Sequence, residues 1–534
     1  MFRVHQIKTN LFKKGIQTEE DNSPLVNTLI NAKEKMEEQI HLIEGRIKNE
    51  IQNDTIEKEF EKDGTDISYD KLMQMTKDYK TSASSIAVQN AALSAIDRDP
   101  EKFHKLSQRQ WNITTGVKVP SNQMYSGRCW MFAGLNILVR QMINVWNVKP
   151  DFELSQSYLF FWHYVEQYND MLTLFFREEE LKDPFNDKRR EFLDGPLQDG
   201  ANWINFIRLA KKYGVVPKSL DGESFATVSS TEMKSALSNM ISNDIYEMED
   251  LKQQKQFDFK EFRNKKLKDV VHVLCTFMGV PPNLSENTAI IIETNVPAHK
   301  VKFVVNNPQE LFSKIINTSA TIELSPGIQK YIPSIEMTAH VQIINDVRKD
   351  SRGIENPLSM DNTWYTTCYQ QYQPRKNLLY NIKEMDVIVN IVLTSLQMTR
   401  PVWFACNMNT DVDRFAAGMD DGLYRPDLFL PEAYESTMKK EDRMNYGLAH
   451  CNHAMLIVGA QTGKSGLIAF NVENSWGTKD NGGGFYKMTR EWFVERAYTI
   501  VVHPDVIKKV IGTDYVVPAV NDTLGVYPLG DFFG

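Results

Sequence analysis

Four residues in this chain have the types and spacing to break an acyl bond. The first is Cys129, in the stretch S121-N-Q-M-Y-S-G-R-C-W-M-F-A-G-L-N136, where polar turn residues give way to an apolar run. A helix beginning at Cys129 presents unpaired N–H groups and partial positive charge to the sulfur, which favours the nucleophilic thiolate. The competing reading is a small buried hydrophobe. The second is His453, in H450-C-N-H-A-M-L-I-V-G459, at the start of a strand-like run and suited to serve as a base. Read differently, it is a structural histidine, or one ligand of a metal site with His450 and Cys451. The metal reading fails on an extended segment, because residues three apart point to opposite faces and zinc needs two more ligands. The third is Asn474, in N471-V-E-N-S-W-G477, 21 residues after His453. One strand, a turn and a returning strand would set the two side by side, with the amide carbonyl accepting the imidazole N–H. Trp476 would shield that bond and is also expected among the substrate-binding residues. The fourth is Gln123, six residues before the cysteine, whose amide can donate to a developing oxyanion together with the Cys129 N–H. Each of these residues has a bland reading by itself; the ordered set Gln–Cys–His–Asn does not.

The elements that must position them form an α+β pattern, helical first and sheet-rich last. Residues 24–62 read as helix, with Met36, Ile40, Ile43, Ile47 and Ile51 at three- and four-residue steps. The break D63-G-T-D66 then separates an N-terminal extension, 1–67, from a helical lobe with the nucleophile, 68–220. Within that lobe Cys129–Ile143 is apolar all round, as a central buried helix should be, and Ser155 is placed to cap a second apolar helix. Residues 221–380 read as a helical insertion and connecting region. The β-rich lobe, 381–517, carries the short runs V387–V392, V402–C406, A454–G459, G466–V472 and G484–M488, read as strands. A C-terminal arm, 518–534, closes the chain.

Composition narrows the partners. Charged residues make up 24% and hydrophobic ones 42%, with a formal charge of −8 and no dense Lys/Arg cluster, so nucleic acid is not expected as the main partner. The five cysteines, Cys129, Cys275, Cys368, Cys406 and Cys451, are odd in number, widely spaced and without a C-x-x-C, which argues for a reducing compartment. No apolar run is long enough to span a bilayer, and the first 14 residues lack the apolar core of a signal peptide, so a cytoplasmic protein is expected.

The order Q123-x5-C-W-x-F-A, then N-H-A-M, then E-N-S-W-G resembles the papain-like cysteine peptidases. Within them, S-G-R-C-W with F-E-L-S-Q-S-Y-L-F-F-W, K212-Y-G-V-V-P217 and V402-W-F-A-C406 are similar to the bleomycin hydrolase and aminopeptidase C family, over roughly residues 68–525. The resemblance implies a papain-like two-lobe fold, a helical lobe carrying Cys129 and an antiparallel β-rich lobe carrying His453 and Asn474. It implies Cys129 as nucleophile, His453 as base and then acid, Asn474 as its orienter and Gln123 in the oxyanion hole, with no metal or organic cofactor. It also implies a homohexameric barrel acting on small peptides. Asp199, Gly200 and Ala201 of D199-G-A-N-W203 resemble a strip that binds the substrate backbone, with Ala201 where the family has glycine. In the family a terminal carboxylate enters the cleft and selects free amino ends; that role would fall to Gly534, yet nine residues follow Gly525 here. The activity expected is therefore an aminopeptidase. The alternatives are an endopeptidase if the tail leaves the cleft, a silent scaffold that kept the fold, or an acyltransferase using the same triad.

Overall fold

The computed structural model describes residues 41, 67, 69–77, 79–80, 82–253, 257–285, 287–325, 328–349, 360–367, 378–430, 438–449, 451–512 and 525–527. The chain divides into two compact units, Met1–Ile86 and Ala87–Gly534. In the first unit the helix Tyr69–Lys77 is described; the expected helix over 24–62 lies, apart from residue 41, outside the described residues.

The larger unit is built on one mixed sheet whose twelve strands are numbered here in chain order: β1 (Ile113–Thr114), β2 (Val341–Ile344), β3 (Thr363–Thr367), β4 (Leu378–Asn381), β5 (Val402–Cys406), β6 (Val412–Asp413), β7 (Gly418–Met419), β8 (His453–Gly463), β9 (Gly466–Glu473), β10 (Phe485–Thr489), β11 (Ala497–Val502) and β12 (Gly525–Tyr527). They lie side by side as β6-β7-β10-β9-β8-β5-β11-β2-β4-β3-β12, with β1 pairing on β8. The central run β10-β9-β8-β5-β11 is antiparallel throughout.

Both faces of that central run are buried, which is why its strands read as nearly continuous apolar stretches rather than strict alternations. Ala454, Leu456 and Val458 of β8, with Trp403 and Val501, face a core made largely by helices. Met455 and Ile457, with Val402, Phe404, Ile500 and Val502, face a second core. Against the first face lies α1 (Cys129–Trp146), apolar around its whole girth and ended by Asn147 in the left-handed conformation. Beside it run α2 (Gln156–Arg177), whose first turn is capped by Ser155 accepting from Tyr158 N–H, and α3 (Trp203–Tyr213). Gly134 lets α1 and α3 touch: a β-carbon there would lie 2.7 Å from the Phe206 ring.

One expected strand is a helix. V387–V392 lies within α4 (Met385–Gln397), where Ile388, Val389, Ile391, Val392 and Leu396 are buried along one side. Their three- and four-residue spacing fits a helical stripe packed on the second core, and tertiary burial outweighs the strand preference of β-branched residues. Strands also run through the stretch read as a helical insertion: the hairpins Thr288–Glu293/Lys300–Val305 and Ala320–Ser325/Ile328–Ile332, and then β2 to β4.

Candidate active site

Cys129 is the first residue of α1 and is 8% exposed. Its Sγ accepts the backbone N–H of Ala454 at 3.4 Å, so the nucleophile candidate sits against the start of β8. Burial pushes the thiol pKa up, opposed by the N–H groups of Ala454, Trp130 and Cys129 itself. Burial thus opposes the thiolate that the helix start favours.

His453 opens β8, opposite Cys406 of β5. Its Nε2 lies 2.8 Å from Asn474 Oδ1. The same oxygen accepts the backbone N–H of Ser475 at 2.8 Å, which identifies it as oxygen rather than amide nitrogen. Nε2 therefore carries the hydrogen, and Nδ1 is left bare to take a proton. Burial lowers the imidazole pKa to about 4, the Asn474 bond raises it and the Arg414 charge lowers it further. The β8–β9 hairpin produces the 21-residue juxtaposition, since β9 ends at Glu473 and hands directly to Asn474.

The loop before α1 is stitched to the segment after β9. Gln123 N–H donates to Ser475 O at 2.8 Å, and Gly477 N–H to Ser121 O at 3.0 Å. The Gln123 side chain accepts from Ser475 Oγ and donates to Ser126 O, both at 2.6 Å. An amide nitrogen has two hydrogens, so one remains beyond the Ser126 bond. Trp476 packs on His453 with ring centres 4.8 Å apart.

Of the expected substrate strip, Gly200 is exposed and Ala201 half-buried, and a β-carbon at Gly200 would meet open space. The Asp199 carboxylate turns inward instead. It accepts from Gly127 N–H at 2.9 Å and from the Tyr164 and Ser230 hydroxyls at 2.5 Å each, and its backbone oxygen accepts Trp130 Nε1–H. Burial opposes its ionisation, yet those donors hold the carboxyl below its ordinary range. Asp199 thus braces the turn into Cys129 from behind. Gly534 lies outside the described residues, as does His450. The part of the C-terminal arm that is described, β12, pairs in parallel with β3 at the sheet edge six strands from β8.

Three groups around the site were given no role in the sequence reading. Arg128, fully buried, bonds Ser126 Oγ and lies 3.0 Å from Glu223. Arg140 and Asn136 of α1 hold Glu473, with Lys118 Nζ 3.7 Å away. Arg414 places its guanidinium 4.4 Å over the Trp476 ring.

The Peptidase C1-like family model matches residues 66–516. Aminopeptidase C of Lactococcus lactis subsp. cremoris is 27% identical over 82% of this chain and 95% of its own length. Bleomycin hydrolase of Rattus norvegicus is 26% identical, over 76% and 86%. In fold, the chain is similar to PepW from Lactobacillus rhamnosis HN001, with a TM-score of 0.73, 24% identity, and 88% and 99% of the two chains covered.

Proposed function

The chain belongs to the Peptidase C1-like family and is a cysteine peptidase of the aminopeptidase type, and we propose that Cys129, His453, Asn474 and Gln123 carry its reaction. His453 Nδ1 takes the Cys129 proton as sulfur attacks the scissile carbonyl carbon. The oxyanion accepts from Cys129 N–H and from the spare Gln123 amide hydrogen. The C–N bond then breaks, the amine leaves with the proton from His453, and a thioester remains. Water, deprotonated by His453, hydrolyses it and restores the thiol. Asn474 keeps the hydrogen on Nε2 throughout. The observation that carries this reading is the contact of Cys129 with the Ala454 amide, one residue beyond an imidazole whose tautomer is fixed.

The substrates are small peptides with a free amino end, bound along Gly200 and Ala201. A homohexameric assembly in the cytoplasm belongs to the same proposal, supported by the family resemblance; among the described residues no helix is long and apolar enough to cross a membrane. A second reading, endopeptidase activity, is favoured by one observation: β12, Gly525–Tyr527, lies at the sheet edge remote from β8.

The test compares a fluorogenic amino-acid amide with its N-acetylated twin. Turnover of the free amine alone, abolished by Cys129→Ala, is the expected result. Equal turnover of the acetylated substrate selects the endopeptidase, and turnover that survives Cys129→Ala removes the assignment of the nucleophile.

A further inference from the structure

Arg414 stands in the tight turn between β6 and β7, exposed to solvent beside the equally exposed Phe415. The turn is braced from three sides: Tyr486 Oη donates to Arg414 O, Asn481 N–H to Phe415 O, and Ala416 N–H to the Asp413 carboxylate. Among the described residues no carboxylate or carbonyl accepts from the Arg414 guanidinium. The adjacent acid, Asp413, is already taken by Arg98 at 2.8 Å and by the Tyr424 hydroxyl. What holds the cation is the Trp476 indole, 4.4 Å beneath it, and the same indole packs on His453.

This arrangement has a direction. On the proposed mechanism, on which the inference rests, His453 hands its proton to the departing amine, so whatever is attached to that amine lies on the His453 and Trp476 side of the thiol. Each residue of extended chain advances about 3.3 Å, so one or two residues beyond the scissile nitrogen carry the substrate across the indole. We propose that Arg414 is a specificity-determining residue that binds a substrate carboxylate on the leaving-group side, with Phe415 offering apolar contact beside it. A planar guanidinium with unused donors, pre-placed on an aromatic ring, suits a carboxylate better than any neutral group. The carboxylate has two sources, the chain terminus of a dipeptide or an acidic side chain in a longer peptide.

The experiment measures kcat/KM for matched substrates that share one accepted amino-terminal residue, X. One arm sets X-Ala against X-Ala-amide, and the other X-Asp-amide against X-Asn-amide. An exposed, salt-screened pair predicts that the charged member of at least one arm is favoured about fivefold, mostly through KM, with the preference shrinking at high salt. The arm that responds names the source. Arg414→Ala should bring the ratio to about one, and Arg414→Lys should keep part of it. Ratios of one in both arms of the native enzyme, or a ratio that persists in Arg414→Ala, overturn the proposal. Hydrolysis of the X-coumarylamide, which has no carboxylate, is followed alongside. If it depends on Cys129 while the ratios are one, only this inference fails. If no Cys129-dependent hydrolysis occurs, the mechanism fails and takes the inference with it.

Discussion

Arg140, about three turns into the helix that starts at Cys129, grips Glu473, the residue directly before Asn474, through Nε at 2.9 Å and Nη2 at 2.5 Å. Both side chains are almost wholly buried, 2% and 1% exposed. Asn136, one turn nearer the cysteine, takes the other carboxylate oxygen at 2.8 Å. The helix of the proposed nucleophile and the strand that delivers the imidazole's partner are therefore fastened to each other, rather than each resting separately on the core.

Removing Glu473 should consequently cost more than its size suggests. Glu473→Ala strands a buried Arg140, with Lys118 close by, and is expected to destabilise the fold by about 3–5 kcal/mol. Replacing both Glu473 and Arg140 by methionine should cost clearly less, because only Lys118 then loses its carboxylate, and it keeps its bonds to Val119 O and Ser121 Oγ. Urea titrations of the two variants check this, and equal losses would show that the pair is not the fastening.

Asp199 separates two roles by kinetics. As a brace it positions Gly127, two residues before the proposed nucleophile, so Asp199→Ala should lower kcat about tenfold and leave KM nearly unchanged. Leaving the Gly127 amide and two hydroxyls unpaired should also cost about 3 kcal/mol of stability. A binding-strip side chain would raise KM instead, and steady-state kinetics of the variant distinguish the two.

Acid should loosen the protein before it protonates the carboxylates. Burial lowers the pKa of His163 and His453 to about 4 and of His340 to about 3, while an unfolded histidine titrates near 6.5. Between these values the unfolded chain binds more protons, so stability is full above about pH 6.5 and falls as pH drops toward 4. Each histidine contributes about 1.4 kcal/mol per pH unit across its window. Buried carboxyls with raised pKa, such as Asp411 and Asp420, work against this at the acid end. Thermal melts from pH 5 to 8 should show Tm rising to near pH 6.5 and then levelling. His340→Phe should flatten the slope by one histidine's share, and an unchanged slope would remove that residue from the account.

How much was legible follows from where each residue sits. Cys129, His453 and Asn474 lie at the start of a helix, the start of a strand and the end of its returning partner, places that turn residues and apolar runs mark in any sequence. Gln123 was readable because it is close in sequence to the nucleophile. Asp199 was seen, but its direction was not: a carboxylate beside glycine looks solvent-facing until Tyr164 and Ser230, 35 and 31 residues away, converge on it. Glu473 and Arg140, 333 residues apart, declare themselves only as a pair in space. Arg414 gave no signal, being one arginine in a loop, and the helix at 385–397 was hidden by β-branched residues that favour strand in isolation.

The contact between Cys129 and Ala454 spans 325 positions of sequence. A ribosome adding about 5–20 residues per second needs roughly 15–65 s to cover that distance. Throughout that interval the thiol is already made and the histidine proposed as its base does not yet exist. On the proposed roles, chains abandoned before His453 is added are inert. Setting the two proposed reactive groups this far apart along the chain is a safeguard in time.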